Sequence, residues 1–167
     1  MARFRNRRRP ASRKGAGFLL FLLLASLPGS CGPGEGSPPD PELEGARALG
    51  LARGARLHRV VLGGRGSEEH VLPGRIQAHP GDAVEFVTVD HRIHSVVFPR
   101  DSLTAESFRF LRESGTEASP PLPARGSRFL LRLEGAPPGR YPFLSHAHGG
   151  VAHGVIEVAM DGTGGLD

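Results

Sequence analysis

The sequence of 167 residues has no tryptophan, one tyrosine, two methionines and a single cysteine, Cys31. One cysteine cannot form an internal disulfide, so the fold has no such staple. The two methionines, Met1 and Met160, stand near the two ends of the chain. No apolar run is long enough to cross ~30 Å of hydrocarbon as a helix. No Gly-x-Ser-x-Gly elbow, internal repeat or heptad pattern occurs. Basic residues are also scarce as runs in the body of the chain. Seven of the 21 precede residue 15, and from Cys31 onward 14 basic residues face 17 acidic ones. The high pI therefore belongs to the N-terminus, and nucleic acid is not an expected partner.

What is present divides the chain. A basic segment from Arg3 to Lys14 is followed by an apolar run, Gly17 to Leu27, and then by small residues up to Cys31. That order is the order of a secretory signal, so residues 1–30 are expected to direct export to the periplasm or cell envelope. Cys31, just after the apolar run, resembles the lipid-modified first residue of a bacterial lipoprotein. That resemblance implies attachment to a membrane through Cys31, with ordinary cleavage near Ser30 as the alternative. Residues 31–55 are rich in Gly and Pro and are expected to be a tether. A helical turn or two over Glu42 to Leu51 is weakened by Gly45 and Gly50. Residues 56–160 carry the β texture, and 161–167 are expected to be a disordered tail.

Within the body, short runs of alternating apolar residues are separated by turn signals. Arg59 to Leu62 is β-like, and Val71 to Ile76 leads into a second extended segment. His79-Pro80-Gly81-Asp82 predicts a turn. In Ala83 to Val89, residues Val84, Phe86 and Thr88 share one face. In His94 to Phe98, Val96 and Phe98 do so. Residues 99–121 break the pattern with a short helix, for which Ser102 is a candidate cap. Ser127 to Leu133, Tyr141 to Ser145 and Gly154 to Ala159 complete the strands. The pattern predicts an all-β sandwich with a short helical excursion.

Five of the eight histidines fall into two groups. His91 and His94 flank the start of one strand; His146, His148 and His153 precede the last. Imidazole is the commonest metal ligand near neutral pH, and two groups beside strand ends suggest a metal site. Asp90 is placed to orient a histidine through a hydrogen bond. His58, His70 and His79 read as surface residues. A hydrolase built on Ser145 and its neighbouring histidines is not expected, because adjacent strand residues face opposite ways.

The order and spacing of Val71, Pro73, Ile76, Ala78, Pro80-Gly81-Asp82, Val84, Phe86, Asp90, His94, Val96 and Phe98 resemble the first half of plastocyanin-type cupredoxins. Phe129 to Leu133, Ala136-Pro-Pro-Gly139, Tyr141-Pro-Phe143 and Gly154 to Val158 resemble the second half. The resemblance spans Leu57 to Ala159 and implies a Greek-key cupredoxin-like β-sandwich. It places His94 and His148 at copper-ligand positions, Ser145 at the position of the copper cysteine, and Ala152 or His153 at that of the methionine. A blue copper site needs two imidazoles, a thiolate and a weak axial thioether. With Ser145 the expectation shifts to a non-blue Cu(II) site, with zinc as a second possible metal. His94 and His148 would bind, His91 would sit on the rim, and His146 and His153 would either rebuild the site or lie exposed beside a decayed one. The partners implied are the metal ion and a redox or copper-trafficking protein; electron transfer and a metal-free module are the competing roles. No enzymatic activity is expected.

Overall fold

The computed structural model describes residues 40–159. The expected signal, Cys31 and the tail 161–167 lie outside the described residues. Among the described residues, no helix is long and apolar enough to cross a membrane.

The elements in chain order are α1 (Pro41–Ala48), β1 (Leu57–Gly63), β2 (His70–Leu72), β3 (Arg75–Ala78), β4 (Ala83–Thr88), β5 (His94–Val97), a 3-10 turn (Arg100–Ser102), α2 (Ala105–Glu113), β6 (Arg128–Arg132), β7 (Gly139–Ala147) and β8 (Gly150–Val158). They form two mixed four-stranded sheets, β2-β1-β4-β6 and β3-β8-β7-β5. β1 runs parallel to β4, and β3 runs parallel to β8. The predicted all-β sandwich is the fold observed. Val84, Phe86 and Thr88 do face inward together, as do Val96 and Phe98. Their alternation buries one face of each strand against the other sheet.

Four phenylalanines fill the middle of the sandwich. Phe86 meets Phe143 edge-on at 5.0 Å between ring centroids and stacks on Phe129 at 5.8 Å; Phe98 meets Phe143 at 5.9 Å. Offset and edge contacts at these separations suit the ring quadrupoles. Tyr141 is also fully buried, and its hydroxyl donates to the Pro137 carbonyl at 2.6 Å.

The turn at His79 to Asp82 forms as expected. Gly81 has φ +94°, and the Asp82 carboxylate accepts from the His79 and Arg56 backbone amides. Two expectations need correction. The helix in the excursion starts later than Ser102: its N-cap is Thr104, whose hydroxyl accepts from Ser107 N at 3.1 Å. Residues 41–48, assigned to a tether, are a helix docked on the outer face of β1 and β4. Asp40 caps it, accepting from Glu42 N at 3.0 Å, and Ala46 is buried against Leu57 and Ala83. Gly45 was counted against this helix. Yet a β-carbon there would lie 2.8 Å from Leu57 Cδ2, so the glycine is what permits the close approach.

Candidate functional site

The positions expected to bind copper lie at one end of the sandwich, where β5, β7 and the segment before β2 meet. His94 pairs with Ala147 and Val96 with Ser145 across the β5–β7 ladder. His94 and Ser145 therefore occupy one face at diagonal positions, and both are fully buried. Between them sits a residue not singled out from the sequence, Glu69. Its Oε1 accepts from His94 Nδ1 at 2.9 Å and from Ser145 Oγ at 2.6 Å. Its Oε2 accepts from Arg92 Nη2 at 2.7 Å. The second nitrogen of His94, Nε2, donates to Asp90 Oδ1 at 2.8 Å. Arg92 Nε closes the ring by donating to Asp90 Oδ2 at 3.0 Å.

The network sets two carboxylates, Glu69 and Asp90, against the Arg92 guanidinium and both ring nitrogens of His94. Opposite charges are thus gathered within hydrogen-bond distance of one another. The Glu69 side chain is fully buried and that of Arg92 only 14% exposed, so charge pairing within the cluster is what makes the burial tolerable. Arg92 also donates to the carbonyls of Glu68 and Gly66, which ties the segment before β2 to the loop before β5. Partial burial acts to raise the Asp90 pKa. The hydrogen bonds from His94 and from the Arg92 backbone and side chain outweigh it and hold the carboxyl well below the usual aspartate range.

Two glycines let Glu69 reach the interior. A β-carbon on Gly64 would lie 2.0 Å from the Glu68 carbonyl oxygen, and one on Gly150 would lie 2.4 Å from that of Ser67. The backbone of residues 67 and 68 lies directly on these positions.

The histidine-rich loop expected before the last strand is instead a tight hairpin. β7 runs to Ala147, β8 begins at Gly150, and the two pair directly. Only His148 and Gly149 connect them, with φ of +46° and +82°. Positive φ at both central residues is what a two-residue type I′ turn requires. The strand alternation then separates the candidate ligands. His94 and Ser145 face inward. His146, opposite Ser95 and Val151, faces outward, as does His153, opposite Leu144. His148 and His91 are exposed. Among the described residues, no three His, Cys, Asp or Glu side chains are arranged to hold a metal ion. The structure thus does not bring His94, His146, His148 and His153 together.

The inward-facing donors do not fit a blue copper centre. A metal ion needs an open imidazole lone pair, and both ring nitrogens of His94 lie within 2.9 Å of a carboxylate oxygen. The point within reach of both His94 Nδ1 and Ser145 Oγ is filled by Glu69 Oε1. Asp90 is the one acidic member the sequence indicated, and it does orient the histidine.

Two predictions follow from this geometry. Asparagine is favoured over histidine at the first position of a type I′ turn, so His148→Asn should stabilise the protein by ~0.5 kcal/mol in urea titration. A loss of stability on that change would contradict a turn role. The second concerns pH. Asp90, and Asp82 beneath His58, have carboxyls whose pKa values are lowered by folding. Such groups contribute stability that is complete above the unfolded value of ~3.9 and is lost as pH falls towards the lower folded value. Urea stability should therefore be flat from about pH 6 to pH 5 in this respect and fall below about pH 4. Asp90→Asn should flatten that fall.

No family model and no curated protein matches the chain. Among solved structures, it is similar to the oxidized form of plastocyanin from Dryopteris crassirhizoma, with 20% identity and a TM-score of 0.45, over 60% of this chain and 98% of that one. It is similar to a purple cupredoxin from Nitrosopumilus maritimus, with 17% identity and a TM-score of 0.41, over 61% of this chain and 99% of that one. It is also similar to a reduced auracyanin from Roseiflexus castenholzii, with 17% identity and a TM-score of 0.39, over 64% of this chain and the whole of that one. The described body is a β-sandwich of two mixed four-stranded sheets, and its inward-facing polar residues form a carboxylate-centred hydrogen-bond network.

Proposed function

We propose that this chain is an exported, non-enzymatic cupredoxin-like module that works without a blue copper centre. The observation that carries this reading is the single oxygen, Glu69 Oε1, accepting from both His94 Nδ1 and Ser145 Oγ. An internal ion-pair network takes the structural role that a metal would otherwise have, tying β5, β7 and the segment before β2 together. Ser145 donates to that network and faces the interior, so it does not serve as a nucleophile. The module then acts through its surfaces, as a binding or structural element of the cell envelope.

Copper loading tests this directly. Thermal stability of the purified protein should be unchanged by chelator, and any response to added Cu(II) should be the same in His94→Ala as in the parent. Ser145→Cys with Cu(II) should remain without the intense charge-transfer colour of a copper thiolate, because His94 and Glu69 still occupy each other. A wild-type protein that binds one Cu(II), and loses it in His94→Ala, would overturn the reading.

The strand register favours one further metal reading. His146 and His153 lie on the outer face of adjacent strands, one diagonal step apart, with His148 at the nearby turn. Diagonal neighbours on a sheet face are within reach of long or ring side chains. A surface Cu(II) or zinc site there would be an adjunct to the module. It predicts a paramagnetic resonance signal of nitrogen-ligated Cu(II) that survives His94→Ala and disappears in a His146→Ala, His153→Ala double variant.

A further inference from the structure

The excursion between β5 and β6 has a chemistry of its own, independent of the buried network. The 3-10 turn and α2 enclose a groove of about 330 Å³, lined by Arg100, Leu103, Thr104, Phe108, Arg109 and Arg112. Phe108, Arg109 and Arg112 follow helical spacing, so they share one side of α2, while Ser107 and Leu111 are buried on the other. The Arg100 guanidinium comes from the 3-10 turn and lies over the Phe108 ring, 5.2 Å from its centroid.

Three arginines thus line one groove. Six described arginines have carboxylate partners: Arg56 with Asp40 and Glu42, Arg92 with Glu69 and Asp90, Arg59 and Arg128 with Glu85, Arg75 and Arg140 with Glu157. No ion pair within 4.0 Å is found for Arg100, Arg109 or Arg112 among the described residues. Glu106 and Glu113 belong to the adjoining stripe of α2. The Thr104 hydroxyl is committed to Ser107, so the recognition chemistry of the groove is guanidinium and aromatic. Like charges gathered in this way repel one another, and a multiply charged anion relieves the repulsion. A guanidinium fork matches two phosphate oxygens at once, and the ring contact holds Arg100 ready to bind. A single carboxylate would neutralise one of the three; a phosphate group, with three free oxygens and ≈ −1.5 to −2 charges, meets more of them. The groove volume is at the small end of ligand sites.

We infer that this groove binds a terminal phosphate group, carried either by a small soluble phosphomonoester or by the monoester headgroup of a phospholipid. The test titrates the whole protein with inorganic phosphate, followed by calorimetry, and with vesicles containing phosphatidic acid, followed by co-sedimentation. Saturable phosphate binding is expected, weakened at least about tenfold in an Arg109→Gln, Arg112→Gln double variant, equivalent to ~1.4 kcal/mol. Both side chains are exposed, so the variant should fold with unchanged circular dichroism. Phe108→Leu should weaken binding severalfold by releasing Arg100. Arg125→Gln, an exposed arginine outside the groove, should change nothing. Vesicle binding that phosphate competes away identifies the headgroup as the source; phosphate binding without vesicle binding identifies a soluble ligand. The inference fails if neither probe binds saturably, if the double variant binds phosphate as well as the parent, or if Arg125→Gln weakens binding equally.

Discussion

Glu69→Leu is expected to destabilise the protein by about 3–5 kcal/mol, most of its working margin. The substitution keeps the volume apolar but leaves three donors without an acceptor: His94 Nδ1, Ser145 Oγ and Arg92 Nη2. One of those belongs to the Arg92 guanidinium, which is left with Asp90 as its carboxylate partner. Each orphaned donor costs its desolvation, which is larger for a charged group. Urea or guanidinium unfolding, with tryptophan-free far-ultraviolet circular dichroism as probe, measures the loss. A second variant separates the missing partner from the missing shape. In a Glu69→Leu, Asp90→Asn, Arg92→Met, His94→Leu quadruple variant none of the four network charges remains, and replacement of a whole buried network is often neutral or better. The quadruple variant should recover most of the stability that the single one loses. If the single variant were as stable as the parent, the network would not be what ties β5, β7 and the segment before β2 together.

The sandwich was legible because it is written in alternation. Val84, Phe86 and Thr88, and Val96 and Phe98, declare an inward face without reference to any other strand. The turn at His79 to Asp82 was legible because Pro80, Gly81 and Asp82 each have a local conformational reason to be there. The site was less so, because its state depends on a residue that is distant in sequence. Glu69 follows Glu68 in what looks like an acidic surface turn. Yet the Glu68 side chain is 76% exposed and that of Glu69 is fully buried. The close backbone packing over Gly64 and Gly150 distinguishes them, and the contact of Gly150 with Ser67 joins segments far apart in the chain. Asp90 was legible because it stands one helical-turn length before His94 and needed only a local bend to reach it. His148 misled for a related reason. At a ligand offset it suggests a metal loop, while His148-Gly149 is equally a two-residue turn, and the pairing of Ala147 with Gly150 decides between them. α1 was discounted on the intrinsic cost of Gly45, a cost that tertiary packing against Leu57 reverses.

Gly154→Ala is expected to cost about 3 kcal/mol, at the upper end of what overpacking a core costs. Gly154 pairs with Phe143 across the β7–β8 ladder, and the far end of the phenylalanine ring lies over it. A β-carbon there would fall 2.2, 2.7 and 2.8 Å from three ring carbons. The ring cannot retreat, because Phe86 and Phe98 hold it from the other side at 5.0 and 5.9 Å. The cost is one of space and not of backbone conformation, since Gly154 is not among the positive-φ glycines. Gly149→Ala provides the contrast: φ is +82° there, the surroundings are open, and the expected loss is the smaller ~1 kcal/mol of a left-handed alanine. Truncating the ring separates the two causes. In a Gly154→Ala, Phe143→Leu double variant the added methyl has room, so the combined loss should be well below the sum of the single losses. Additive losses would mean that the ring moves aside at no cost.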